Sequence, residues 1–121
     1  MNDLNTTQIE GKIVKDPIIH RTMKGNPICT FSIASNRFFK KDSELERETS
    51  FFEIEAWDDL AEICHALGKK GRSCRIHGRM KQDRWNAPDG GPRSKIVVVA
   101  DSIEFRPEAK KDKRSEEENA N

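Results

Sequence analysis

Glu53 and Glu55 stand two residues apart, with Asp58 three further on, in the stretch Glu48-Thr49-Ser50-Phe51-Phe52-Glu53-Ile54-Glu55-Ala56-Trp57. On an extended backbone, residues two apart share a face at roughly 7 Å. That spacing suits two carboxylates holding a divalent ion, as in a metal-dependent nuclease. No His, Lys or further carboxylate is placed to complete a catalytic constellation, so an enzyme is not expected. Cys64-His65 and Cys74-x-x-His77 resemble zinc-ligand spacing. Residues three apart on a strand point to opposite faces, however, so Cys74 and His77 cannot close on one ion without a bulge. The thiols are expected in the core, and no metal or other cofactor is expected.

The same stretch poses a different question. Phe52, Ile54 and Ala56 alternate onto one face, the pattern of a strand with one side on a core. Its other face then carries Phe51, Glu53, Glu55 and Trp57. Large rings on a solvent face imply either a protein interface or a flat ligand. The carboxylates between them would repel a polyanion unless they steer it aside or pair with neighbouring arginines. Charge elsewhere favours a polyanion. Lys69, Lys70, Arg72, Arg75, Arg79, Lys81 and Arg84 fall within sixteen residues against a single acid, Asp83, although the whole chain carries only +1. Such a patch is an electrostatic footprint for a polyanion.

These residues sit on a short series of elements. Gln8 to Val14 and Pro27 to Asn36 alternate as strands, with a short extended piece from Ile18 to Met23 closed by Lys24-Gly25-Asn26-Pro27. Arg37 to Glu48 is poor in apolar residues and reads as a flexible loop before the strand quoted above. From Asp58 to Leu67 the period changes: Leu60, Ile63, Cys64 and Leu67 make one helical stripe, and Asp58 and Asp59 favour its N-terminus. Arg72 to Lys81 and Lys95 to Phe105 return to strand, on either side of a hairpin tip at Asn86 to Pro92. Five main strands, taken as antiparallel, with one helix between the third and fourth predict an all-β domain. The layout is that of a small five-stranded Greek-key barrel with a helix plugging one end, the oligonucleotide-binding fold.

Four fragments in register, "DPIIHRTMKGNPICTFSIASNRFF", "RETSFFEIEAWDDLAEICHALGKKGR", "IHGRMKQDRW" and "VVADSIEF", resemble the bacterial single-stranded DNA-binding protein family from about Leu4 to Pro107. The resemblance implies binding of single-stranded DNA in replication, recombination and repair. Carried over by position, it implies base stacking on Phe39, Phe51, Trp57 and Trp85. Of the adjacent Phe38 and Phe39, one is expected to turn inward, and Phe39 is taken as the stacker. Phosphate contacts are expected from Arg37, Lys40, Lys41, Arg75, Arg79, Lys81 and Arg84, with His77 joining when protonated. The alternative is an adaptor of the replication-restart type, which keeps the barrel but docks proteins or binds RNA.

The length of 121 residues fits one domain, 1–107, followed by a charged and disordered tail, 108–121. The tail ends "KKDKRSEEENAN", without the acidic, apolar tip through which family members recruit partners, so recruitment by that route is not expected. The family arrangement is a homotetramer. The polar first strand, Thr6-Thr7-Gln8-Ile9-Glu10, points to a weaker interface and leaves a dimer open. Three scattered cysteines and no transmembrane or signal segment point to a reducing, cytoplasmic (nucleoid) location.

Overall fold

In the computed structural model, which describes residues 1–107, the alternating segments close on one another. The elements are β1 (Thr7–Ile13), β2 (Ile18–Arg21), β3 (Pro27–Lys41), β4 (Glu44–Trp57), α1 (Asp58–Leu67), β5 (Ser73–Asn86) and β6 (Pro92–Phe105). The sheet runs β1-β5-β6-β4-β3-β2, and a further pairing of β1 with β3 closes it on itself. Five strands thus form the ring, while β2 lies outside it on β3. Closure leaves the ring without a free edge. One pairing differs from expectation: β4 and β6 run parallel, at Ile54↔Val98 and Glu55↔Val99. A parallel neighbour needs a long connection between the strands. Here α1 and β5 supply it.

The expected inward residues fill the barrel. Ile13, Cys29, Phe31, Ile33, Ile54, Ala56, Cys74, Ile76, Val98 and Ala100 form one cluster, with Ile9 and Phe52 packed at its edge. The helix spans the expected residues and keeps Leu60 and Cys64 of the expected stripe against the core, but it is rotated so that the rest of the stripe faces out. Ala61 and Cys64 are buried, whereas Ile63 and Leu67 are nearly half exposed. Small side chains let the helix sit close on the barrel mouth, and a Cβ at Gly68 would lie 2.9 Å from Pro17. Asp58, at the corner between β4 and α1, has φ of 56°, a left-handed conformation that Asp tolerates better than most residues.

The expected flexible loop is instead structured. β3 and β4 pair without interruption from Ile28↔Trp57 to Lys41↔Glu44. Asp42 and Ser43, with φ of 51° and 69°, make a two-residue hairpin turn whose twist matches that of the strands. β5 and β6 likewise pair out to Asn86↔Pro92, so the Arg84–Trp85 segment is strand. Two ribbons therefore project from the barrel.

The three cysteines are buried as free thiols. Burial pushes Cys29 and Cys74 up to about 11 and Cys64 to about 12. Since the thiolate is the reacting form, the folded protein at pH 8 should leave all three unmodified by an aromatic disulfide reagent over minutes. Unfolding in guanidinium should release all three, as read by absorbance. Rapid reaction of one thiol in the native protein would contradict this packing.

Candidate nucleic-acid interface

β4 carries the centre of the site. Its outward positions Phe51, Glu53, Glu55 and Trp57 lie opposite Ala34, Ser32, Thr30 and Ile28 of β3. Phe51 is 67% exposed. Trp57, the last residue before the helix, is half-buried. Its indole Nε1 donates to Glu55 Oε1 at 2.6 Å. The two carboxylates that sat awkwardly in the sequence are each tied to a lysine rather than to an arginine. Lys81 Nζ donates to the same Glu55 oxygen at 3.0 Å and lies 3.3 Å from Asp83 Oδ1. Lys95 Nζ donates to Glu53 Oε1 at 3.0 Å. Partial burial pulls the Lys81 pKa down, but hydrogen bonds to Glu55 and Asp83 outweigh it and the net shift is upward. The face thus shows its rings with much of its negative charge internally balanced.

The β5–β6 ribbon extends this face. Trp85, 46% exposed, pairs with Arg93 across the ladder, and the Lys95 ammonium lies 6.0 Å from its ring centroid. Lys95 therefore stands between Glu53 and Trp85. Arg84, one residue off, points to the other side of the ribbon by alternation and donates twice to Gln82 Oε1, at 3.2 and 2.8 Å.

On the β3–β4 ribbon the register divides the adjacent phenylalanines. Phe38 lies opposite Arg47, on the side of the ladder that carries Phe51, and is 61% exposed. Phe39 lies opposite Glu46, on the side continuous with the core-facing set, and is half-buried. The Arg37 guanidinium covers its ring at 5.1 Å. The sequence expectation had the opposite sense, because without a register nothing in it tells which of two neighbours points out. Lys40 and Lys41 stand exposed at the ribbon's end.

The remaining basic candidates part company. Arg79 is exposed on the outward side with Lys81, and no ion pair joins it to a described residue. Arg75 is engaged elsewhere: it donates to Glu10 at 3.2 Å and lies 3.8 Å from Glu104, which also faces His77 at 3.9 Å. Arg106 joins the same network through Glu10, and chiefly the Arg75 hydrogen bond holds the Glu10 carboxyl below its ordinary range. Six residues separate Arg75 from Lys81, roughly 20 Å of strand. The sequence reading did not name Lys95 or Arg93, and it took Phe38 as the inward neighbour of Phe39. Lys95 was findable, since by alternation it falls on the side opposite Ile96 on the strand facing the basic run. Among the described residues, no group of three His, Cys, Asp or Glu side chains is arranged to hold a metal ion. No helix among them is long and apolar enough to cross a membrane.

Comparison with known proteins bears on the family and the fold. Residues 4–106 match the model of the single-strand binding protein family. A protein of Chlorobaculum tepidum named single-stranded DNA-binding protein 2 is 31% identical over 120 residues, 98% of this chain and 81% of that one. The single-stranded DNA-binding protein of Thermotoga maritima is 34% identical over 106 residues, covering 87% and 75%. That of Caldanaerobacter subterraneus is 36% identical over 102 residues, covering 84% and 67%. A solved chain described as Plasmodium falciparum SSB in complex with single-stranded DNA shares the fold, with a TM-score of 0.79 at 22% identity, over 88% of this chain and 98% of that one. The chain belongs to the single-strand binding protein family.

Proposed function

We propose that this protein binds single-stranded DNA without marked sequence preference and shields it during replication, recombination and repair. The observation that carries the reading is the exposure of Phe51, a large ring on the outward face of a barrel strand that also carries half-buried Trp57. Every base has a flat face, so rings fixed on a rigid strand bind unpaired nucleotides whatever their identity. Phe51, Trp57 and Trp85 are the central platforms, Phe38 extends the path on their side of the β3–β4 ribbon, and Phe39 offers a ring on the ribbon's other side. Lys40, Lys41 and Arg79 supply phosphate contacts, with Arg37 and Arg84 reaching a strand only where it passes to the other side of their ribbons. Arg75 and Lys81, held by carboxylates, are reserves that must first leave their partners. No catalytic step is assigned, since Glu53 and Glu55 are each occupied by a lysine. The protein is proposed to act in the cytoplasm as an oligomer, with the family's four-subunit form the first expectation. Met80 and Ile96, 46% and 57% exposed on neighbouring strands, offer apolar surface for such contacts.

Titration with oligo-dT tests the reading. Trp57 and Trp85 are the only tryptophans, so stacking should quench most of the emission, and oligo-dA should bind with comparable affinity. Affinity should fall steeply with salt as phosphate contacts are screened. Unchanged emission at low salt, with no binding seen by light scattering, would refute it and favour a protein-docking role.

A further inference from the structure

We infer that Glu55 is a positioning residue for DNA binding, its carboxylate fixing the plane of the Trp57 indole before any ligand arrives. The inference rests on the reading above and adds a residue to it. Glu55 is 7% exposed, the one buried charged side chain among the described residues. It sits on the outward face of β4, outside the barrel core, beside Val99 of β6. Burying a carboxylate there is unfavourable unless partners replace its water. A single oxygen, Oε1, takes both: the indole Nε1–H of Trp57 and the Lys81 ammonium. Lys81, whose charge Asp83 also shares, sets a positive charge against that oxygen.

The barrel alone does not call for this arrangement, since a β-branched apolar residue would suit the middle of a strand. What the carboxylate adds is direction. Trp57 ends β4, next to the left-handed Asp58 corner, where the backbone leaves the sheet. Without an anchor its ring could swing about two side-chain torsions, and a ligand would have to order it on binding. Fixing a mobile side chain at an interface typically weakens association by about 2- to 10-fold. Glu55 removes that term in advance. Lys81 is thereby a counter-charge to Glu55 in the free protein.

Two variants separate this role from a merely structural one. Glu55→Gln keeps an oxygen that accepts from the indole; Glu55→Val removes it. In the DNA-free protein, the Trp57 Nε1–H signal in a proton–nitrogen correlation spectrum, assigned with Trp85→Phe, should lie downfield and exchange slowly with water. It should stay so in Glu55→Gln and move upfield with fast exchange in Glu55→Val. Oligo-dT affinity should drop about 2- to 10-fold in Glu55→Val and less than 2-fold in Glu55→Gln. If the valine variant does not fold, Glu55→Thr, strand-favouring and too short to reach the indole, gives the same readouts. An indole signal unmoved by loss of the carboxylate, or a Gln variant as weak as Val, overturns the proposal. A protected indole in a wild-type protein that ignores oligo-dT would leave the contact standing and refute the binding reading instead.

Discussion

Phe51→Ala and Trp57→Ala combined should weaken oligo-dT binding by roughly 2–6 kcal/mol, about 30-fold to 10⁴-fold, at one fixed salt concentration. Each stack contributes roughly 1–3 kcal/mol. The rings lie six residues apart on β4, roughly 20 Å, beyond the range at which substitutions usually couple. The two single losses should therefore sum to the double loss. Anisotropy of a labelled oligonucleotide reads this without relying on the tryptophan being removed. Phe51 is 67% exposed, so its replacement should leave the thermal midpoint nearly unchanged. Trp57 is half-buried and bonded to Glu55, and its loss should show some destabilisation. The salt dependence of binding should keep its slope, because no phosphate contact has been deleted. A double variant within 3-fold of wild type would mean the rings do not bear bases.

The strand at the centre of the site was legible because its two faces conflict. Phe52, Ile54 and Ala56 declare the core side, and the alternation then puts Phe51 and Trp57 on the outward face. The helix was legible in extent, since its period and flanking Gly residues bound it. Its facing was only half legible, because Ala61 carries a weak hydrophobic signal yet is what a close approach to the barrel mouth needs. The β3–β4 ribbon was missed for the opposite reason. Both of its sides meet water along most of its length, so no alternation in polarity marks it, and its Asp42-Ser43 turn lacks the glycine that usually announces such a hairpin. The parallel β4–β6 contact comes from closing the barrel, which no local pattern encodes. Burial of Glu55 was equally hidden. A glutamate on a solvent-facing position reads as exposed until Lys81, twenty-six residues away in sequence, is brought onto it.

Gly78→Ala should cost the fold about 3 kcal/mol or more, the largest stability effect expected of any single methyl group added here. Gly78 lies at the irregularity where β5 pairing with β6 shifts from His77↔Ser102 to Gly78↔Ala100. A Cβ there would sit 2.1 Å from the Val99 carbonyl oxygen, 2.9 Å from its carbon and 3.1 Å from Ala100 Cα. These are backbone atoms of a strand bonded on both sides, to β5 and to β4, so no side chain can rotate aside to make room. Relief requires β6 to move off β5, breaking ladder hydrogen bonds where Val99 and Ala100 are themselves buried. Overpacking a well-filled core typically costs 1–3 kcal/mol, and a backbone clash belongs at or above the top of that range. For a domain of this size such a loss should lower the thermal midpoint by more than about 10 °C, as read by circular dichroism. With native stabilities of only about 5–15 kcal/mol, it should also raise the unfolded fraction and expose the three buried thiols to reagent. A variant melting within about 3 °C of wild type would show that the two strands do not approach as closely as Gly78 implies.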